Sequence, residues 1–139
     1  MGKLRTALDK FNSLTGRSGR RNRALRDVTD WAENIGEFLS RYNLQKGSTG
    51  FNSILENIGE VKFDLTTITY RTREIIKTAK NVEGTSLSPL MEKVLHDLEA
   101  IRRALINPAL SSTAIRNLIP NLCESFARLQ AAISAIEYK

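Results

Sequence analysis

Residues 51–79, FNSILENIGEVKFDLTTITYRTREIIKTA, carry an unbroken helical pattern. Apolar and small residues alternate at spacings of three and four, which places them on one face of an α-helix. The part around Phe63 and Leu65 alternates with threonines and also fits a strand. We reject the strand because the three-four spacing passes through it in phase, so we predict one long helix with a heptad seam. The seam residues are Phe51, Ile54, Ile58, Val61, Leu65, Ile68, Thr72, Ile75 and Ala79.

Two neighbouring segments show the same spacing. The first starts near residue 21 and ends before the polar sequence NLQKGSTG. In the second, Ser88 can cap the helix, Pro89 suits the first turn and Pro108 stops it. We therefore predict a long helix on each side of residues 51–79. Their seams consist of Leu25, Val28, Ala32, Ile35, Leu39 and Tyr42, and of Leu87, Met91, Val94, Leu98, Ile101 and Leu105.

The C-terminal segment predicts a fourth long helix that Pro120 interrupts. Ser111 or Ser112 is the predicted cap. Two structures fit the proline: the helix kinks there, or a short turn at about 112–118 precedes a main helix that opens near Pro120. The seam residues are Ile115, Ile119, Leu122, Phe126, Leu129, Ile133 and Ile136.

The first residues of the chain predict a short amphipathic helix with Leu4, Leu8 and Phe11 on its apolar face. The following sequence, TGRSGRRNR, contains two glycines and is predicted as a flexible basic joint. We assign residues 1–20 to the amphipathic helix and the joint, and residues 21–139 to the bundle. The predicted fold class is all-α: an antiparallel up-down four-helix bundle preceded by this short amphipathic N-terminal helix and basic joint.

The positive charge of the chain is concentrated at its N-terminus. The formal net charge is +6, and residues 1–26 hold eight basic residues and one acid, Asp9. The other 113 residues hold 13 basic and 14 acidic residues and are nearly neutral. Such asymmetry is typical of a basic region that contacts nucleic acid or an anionic membrane surface.

Two basic clusters should meet in an antiparallel bundle, because the start of the first long helix lies beside the end of the second. Arginine neutralises phosphates through paired hydrogen bonds, and aromatic residues that stack on bases are scarce near the N-terminal cluster. We therefore predict a helical module for assembly and interaction that binds polyanion, namely nucleic acid, without sequence specificity. The predicted binding residues are Arg17, Arg20, Arg21, Arg23, Arg26, Arg71, Arg73, Lys77 and Lys80.

The chain contains few groups suited to catalysis. His96, the single histidine, lies between seam residues Val94 and Leu98, so its side chain should point away from the core. Cys123, the single cysteine, adjoins Leu122 and is predicted as a small core residue rather than a nucleophile. A di-iron site needs two histidines, and no phosphate-binding glycine loop is present. We predict that the protein is not an enzyme and uses no metal or cofactor.

Gly2 supports a second hypothesis. The residues MGKLRT match the N-myristoylation pattern, in which Gly2 is followed four residues later by a hydroxyl residue, here Thr6. An acyl chain and a basic patch together supply the two signals of stable membrane attachment. This combination is similar to that of helical viral matrix proteins, through one short motif and the general architecture. The alternative is a matrix-like peripheral membrane protein lipidated at Gly2.

A third hypothesis is a protein-protein adaptor whose basic charge is incidental. The long seam of residues 51–79 could hold a partner helix or a second copy of the chain. No apolar run reaches the roughly 18–20 residues of a membrane span, and the first residues show no secretory signal. With a single cysteine, these features predict a cytoplasmic or other reducing intracellular setting, at a membrane surface under the second hypothesis.

Overall fold

The structure, a computed structural model, describes residues 17–80, 82, 87–107 and 112–137, with the backbone alone at positions 17–22, 48 and 137. Every regular element within these residues is an α-helix, which confirms the predicted all-α class there. The helix predicted around Leu4, Leu8 and Phe11 lies outside the described residues. The five helices are α1 (Arg17–Arg41), α2 (Ser48–Glu56), α3 (Ile58–Ala79), α4 (Leu87–Ile106) and α5 (Ser112–Glu137).

The core is built from the predicted seams. One continuous cluster of buried side chains connects the helices, and its largest fully buried members include Trp31, Leu65, Leu98 and Phe126. Burial of apolar surface from several helices in one cluster is the main favourable contribution to folding. The predicted helical phases are therefore confirmed for the four long helices. The seam residues of these helices that are 0 % exposed are Val28, Ile35, Leu39, Val61, Leu65, Thr72, Met91, Val94, Leu98, Ile115, Leu122 and Leu129.

The packing of α1 on α3 shows the relative direction of these two helices. The indole Nε1 of Trp31 donates a hydrogen bond of 2.8 Å to Oγ1 of Thr72. The hydroxyl of Tyr42, just after α1, donates one of 2.6 Å to Oδ2 of Asp64, near the start of α3. Later residues of α1 thus meet earlier residues of α3, so the two helices run in opposite directions. Further packing of α3 on α4 and of α4 on α5 is consistent with a bundle.

The prediction of one helix over residues 51–79 is wrong at Asn57. The residue adopts φ −125° and ψ 34°, and α2 ends before it while α3 begins after it. Its side-chain Nδ2 donates a hydrogen bond of 2.9 Å to the carbonyl oxygen of Ser53. Asparagine side chains compete in this way with the helical hydrogen bonds of the backbone. Residues 17–137, apart from the undescribed gaps, therefore contain four long helices and one short helix where four long helices were predicted.

The threonine-rich part of α3 is helical, as predicted. Its hydroxyl groups donate hydrogen bonds to backbone carbonyl oxygens one turn earlier in the same helix. The hydroxyl of Thr66 donates to the carbonyl oxygen of Lys62 at 2.9 Å, and the hydroxyl of Thr72 donates to that of Ile68 at 2.7 Å. Such bonds to the carbonyl four residues earlier are available only in a helix. Because such bonds slightly destabilise a helix, packing of the seam on the core accounts for the helix here, and local propensity does not.

Three predicted boundaries need correction. The first long helix was predicted to start near residue 21, but α1 begins at Arg17, so the described part of the predicted basic joint is helical. Arginine is a good helix former, and docking of α1 on the core outweighs the cost of the glycine in its first turns. Ser88 lies inside the first turn of α4 rather than at its cap. Pro120 lies within α5, so the alternative in which the main helix begins there is wrong.

Candidate functional site

The first turns of α1 carry the N-terminal basic cluster. The backbone at Arg17, Arg20 and Arg21 is helical, and the side chains of Arg23 and Arg26 are exposed. No acidic residue lies in the first turn of α1. A helix has a partial positive charge at its N-terminus, where basic side chains are unfavourable and anions are favourable. The start of α1 is therefore a place where a bound anion would relieve electrostatic repulsion.

The second predicted cluster lies on the C-terminal part of α3 and just after it, and all its members are exposed. Arg73 is engaged within the molecule, since its Nη2 lies 2.7 Å from Oε2 of Glu99. Lys77 makes a long contact of 3.7 Å with Glu74. Lys80 has no ion pair among the described residues. The free charge of this cluster is therefore concentrated at the end of α3.

The hydrogen bond between Trp31 and Thr72 sets the register of the two clusters. Arg26 precedes Trp31 by five residues and Lys77 follows Thr72 by five residues, so each lies about 7.5 Å along its helix from that contact. Because α1 and α3 run in opposite directions, both distances lead to the same end of the helix pair. We call this end, with Arg23, Arg26, Lys77 and Lys80 as its exposed basic residues, the basic end.

Arg71 occupies a different position from the basic end. It lines a groove of about 300 Å³ between α1 and α3, and Glu37 and Asp64 line the same groove. The ring of Phe63, which is 72 % exposed, also lines it. The prediction joined Arg71 and Arg73 to the same cluster as Lys77 and Lys80. In the structure, Arg71 lines the groove instead, and Arg73 is paired with Glu99, so the charge of Arg73 is partly neutralised within the molecule.

A hydrogen-bonded group closes the far end of the helix pair. Oδ2 of Asp64 accepts hydrogen bonds from the Tyr42 hydroxyl at 2.6 Å and from Nη1 of Arg41 at 2.9 Å. Burial of the phenol, together with its bond to the Asp64 carboxylate, raises the pKa of Tyr42 above its ordinary value. The group fixes the register of α1 on α3 and presents no free base.

The two residues considered for catalysis, His96 and Cys123, lie on different helices, α4 and α5. His96 is exposed, which confirms its predicted direction. The Cys123 thiol is half-buried and donates a hydrogen bond of 3.6 Å to the carbonyl oxygen of Leu44, and burial raises the pKa of this thiol. A higher pKa leaves less thiolate at neutral pH. Among the described residues, no three His, Cys, Asp or Glu side chains are grouped to hold a metal ion.

A cavity of about 560 Å³ between α2, α5 and the loop after α1 was not predicted from the sequence. Its floor consists of the buried residues Leu44, Phe51 and Ile119 with the half-buried Cys123. Exposed residues form its mouth, and these are Gln45, Gly47, Arg116 and Pro120. The guanidinium carbon of Arg116 lies 4.5 Å from the centroid of the Phe51 ring.

The loop after α1 is held against α2 by its backbone. Asn43 and Gly47 both have positive φ values, 54° and 60°, so the chain turns sharply at each. Gly50, in the first turn of α2, lies so close to the loop that a Cβ atom there would be 2.7 Å from the carbonyl oxygen of Asn43. Leu44 is 2 % exposed between these turns. The loop is thus a fixed wall of the cavity.

Asp97 is a second feature that the sequence did not reveal. Although charged, it is only 3 % exposed on α4. Its Oδ1 accepts a hydrogen bond of 3.0 Å from Nζ of Lys93, while its Oδ2 is buried and has no partner among the described residues. Because it adjoins the seam residue Leu98, Asp97 lies at the edge of the buried face of α4.

Comparison of the chain with models of protein families, with curated proteins and with solved structures finds no match. In the part of the chain that the structure describes, no helix has both the length and the apolar character that a bilayer crossing requires. Function is therefore inferred from the positions and the chemistry of the described side chains.

Proposed function

We propose that this chain is a non-enzymatic helical interaction module that binds polyanion at its basic end, with nucleic acid as the partner and no sequence specificity. The observation that carries the proposal is the hydrogen bond between Trp31 and Thr72. Its register brings the start of α1 and the end of α3 to one end of the helix pair. Exposed arginines and lysines from two separate segments then face the same partner.

The chemistry of the basic end suits phosphate groups. Arginine binds phosphate through two parallel hydrogen bonds, and lysine binds it as a point charge. Each neutralised phosphate releases counterions, so affinity depends on salt and not on base identity. The exposed Tyr70 ring, seven residues before Lys77 on α3, gives single strands one stacking surface. One such ring favours single strands over duplex and does not distinguish base sequences.

The proposal includes an antiparallel up-down arrangement of the four long helices. Besides the opposite directions of α1 and α3, the contacts of α3 with α4 support it. Thr66 accepts a hydrogen bond of 3.1 Å from Arg102, whereas the later residue Arg73 contacts the earlier residue Glu99. This order is the one that two antiparallel helices produce.

The experiment measures the affinity of the full chain for duplex and single-stranded DNA of two unrelated sequences over a series of salt concentrations. Lys77→Gln with Lys80→Gln should weaken binding to both sequences equally. The slope of log affinity against log salt should flatten by about 0.7–0.9 for each phosphate that the variant no longer neutralises. Arg20→Gln, Arg21→Gln and Arg23→Gln together should have the same kind of effect.

The matched control is Lys46→Gln with Lys62→Gln, which removes the same charge. Lys46 lies in the loop after α1 and Lys62 near the start of α3, at the opposite end of the helix pair. If this pair weakens binding as much as the pair at the basic end, net charge alone explains the affinity and the proposal fails. Arg73→Gln should have a smaller effect than Lys80→Gln, because Arg73 already pairs with Glu99.

Membrane attachment is the alternative that the same samples test. It depends on Gly2 and on residues 1–14, which lie outside the described residues. Anionic liposomes replace DNA in this arm, and a chain that lacks residues 1–14 is compared with the full chain. If the basic substitutions leave DNA binding unchanged and the deletion abolishes liposome binding, the peripheral membrane function replaces the polyanion function proposed above.

A second candidate function, docking of a partner helix or of another copy of the chain, is favoured by one observation. Phe63 is 72 % exposed and Tyr70 is 67 % exposed, and they lie seven residues apart on the same side of α3. Large exposed aromatic residues are frequent at protein interfaces. Sedimentation of the full chain and of Phe63→Ser tests it: self-association that the substitution abolishes would support it, and a monomer at all concentrations would exclude the homo-oligomer.

A further inference from the structure

The cavity between α2 and α5 has the size and lining of a small-molecule site. Its volume of about 560 Å³ falls within the roughly 300–1,000 Å³ of known ligand pockets. Apolar side chains of Leu44, Phe51 and Ile119 make the floor, and polar groups stand only at the mouth. Apolar pockets with a few convergent polar groups are the usual form of ligand sites.

The charge at the mouth is of one sign. Among the described residues, Arg116 is the only charged side chain that lines the cavity, and no carboxylate pairs with it. The guanidinium carbon lies 4.5 Å from the centroid of the Phe51 ring, an attraction between a cation and an aromatic ring that leaves the N–H groups without a partner in the described part of the chain. Gln45 adds an amide donor at the same mouth. Both groups are suited to an anionic oxygen.

The site exists before any ligand arrives. The positive φ values of Asn43 and Gly47 and the close approach of Gly50 fix the loop that forms one wall. The thiol of Cys123 joins this wall to α5 through its hydrogen bond to Leu44. A wall that is already ordered lowers the conformational entropy that binding must remove.

We propose that this cavity binds a small amphiphile in which a carboxylate ends an apolar chain. The carboxylate pairs with Arg116 and accepts a hydrogen bond from Gln45 at the mouth, and the chain lies on Phe51 and Ile119. The site lies at the end of α1 opposite the basic end, and it does not depend on polyanion binding. The proposed binding is non-covalent.

The experiment uses Cys123, the single cysteine, as a reporter inside the site. The rate at which iodoacetamide alkylates this thiol in the full chain is measured against the concentration of decanoate, decanol or decyltrimethylammonium. Decanoate should slow alkylation at lower concentrations than decanol, and decyltrimethylammonium should have no effect. Equal protection by decanoate and decanol would overturn the role of Arg116, and absence of protection by decanoate would overturn the site.

Two substitutions separate the parts of the proposal. Arg116→Gln should weaken decanoate about five- to tenfold and leave decanol unchanged, since it removes one charge-assisted hydrogen bond. Arg128→Gln, on the same helix and paired with Glu124, is the matched control and should change neither. Ile119→Trp should fill the cavity and abolish protection by both ligands, with circular dichroism to show that the variant folds. Equal effects of Arg116→Gln and Arg128→Gln would overturn the proposal.

The test is independent of the polyanion function. Decanoate is an anion and could bind weakly at the basic end, so Lys77→Gln with Lys80→Gln is measured with the same reporter. This pair should leave the protection of Cys123 unchanged, and a loss of protection would contradict the assignment of the ligand to the cavity. Duplex DNA should not compete with decanoate, whether or not the basic end binds it.

Discussion

The indole of Trp31 and the hydroxyl of Thr72 form a hydrogen bond of 2.8 Å between two side chains that are almost fully buried. The Thr72 hydroxyl donates its own hydrogen to the carbonyl oxygen of Ile68 at 2.7 Å, so it acts as donor and acceptor at once. A buried polar pair whose hydrogen-bonding groups are all satisfied favours a single arrangement of the two helices. This contact therefore fixes how α1 lies on α3.

Thr72→Val should lower the free energy of unfolding by about 1–3 kcal/mol, because it leaves a buried indole N–H without an acceptor while keeping the shape of the side chain. Chemical denaturation followed by circular dichroism measures the change. Thr67→Val is the control, since the Thr67 hydroxyl bonds at the exposed surface of the same helix. Similar losses for the two variants would contradict the importance of the buried pair.

Leu65→Ala and Leu98→Ala should each destabilise the protein by about 2–5 kcal/mol, because both leucines are 0 % exposed and truncation leaves a cavity. Leu55 is 42 % exposed, so Leu55→Ala should change the free energy of unfolding by less than about 0.5 kcal/mol. Denaturant titration of the three variants checks this order. Neutral substitutions at Leu65 and Leu98 would show that the seams are assigned to the wrong face.

Gly50→Ala and Gly59→Ala should change stability in opposite directions. A methyl group at Gly50 would lie 2.7 Å from a backbone oxygen and 2.8 Å from the Cα of Leu44, so the loop must move, at a cost of about 1–3 kcal/mol. At Gly59 the added group meets no atom within 4 Å, and alanine should stabilise the helix by about 0.4–1 kcal/mol. Thermal unfolding of both variants measures these changes. Destabilisation by Gly59→Ala would contradict the open space around Gly59.

Tyr42 should make the stability of the protein sensitive to alkaline pH. Its pKa is raised in the folded state, so folding favours the protonated phenol. The stabilisation is complete below about pH 10, the value of a free tyrosine, and is lost as the pH rises through the folded-state pKa. Tyr42→Phe should lower the free energy of unfolding by about 1–3 kcal/mol at pH 7. This difference in stability between the variant and the parent protein should shrink above pH 10.

Denaturant titrations at a series of pH values from 7 to 11 measure this dependence. Tyr70→Phe is the matched control, because the Tyr70 ring is 67 % exposed and has no carboxylate partner among the described residues. This control should follow the parent protein at every pH. A difference between Tyr42→Phe and the parent that stays constant up to pH 11 would contradict the role of the bond to Asp64.

The periodicity of apolar residues was sufficient to predict four of the helices, because burial of one face repeats every three or four residues regardless of what the helix packs against. It was insufficient at Asn57 for a physical reason. Ile54 and Val61 lie seven residues apart on either side of the break, and both are 0 % exposed. The seam therefore continues across an interruption that only hydrogen bonding reveals.

The sequence was sufficient to predict one of the two candidate sites and insufficient for the other. The basic end was predictable because it depends on charge along the chain and on the opposite directions of two neighbouring helices. The cavity was not, because Leu44 and Cys123 meet across 79 residues of sequence and no local pattern relates them. Asp97 was missed because its residue type indicates solvent, while its position beside Leu98 places it at the edge of the core.

The break at Asn57 has a consequence for how this chain can vary in length. Since α2 and α3 keep a common buried face, the number of residues between Ile54 and Val61 is constrained even though the helix is interrupted. An inserted residue would turn α2 by about 100° relative to α3 and bring Ile54 towards solvent. Substitutions at the break should therefore be tolerated during divergence of the sequence, whereas single insertions and deletions should be eliminated.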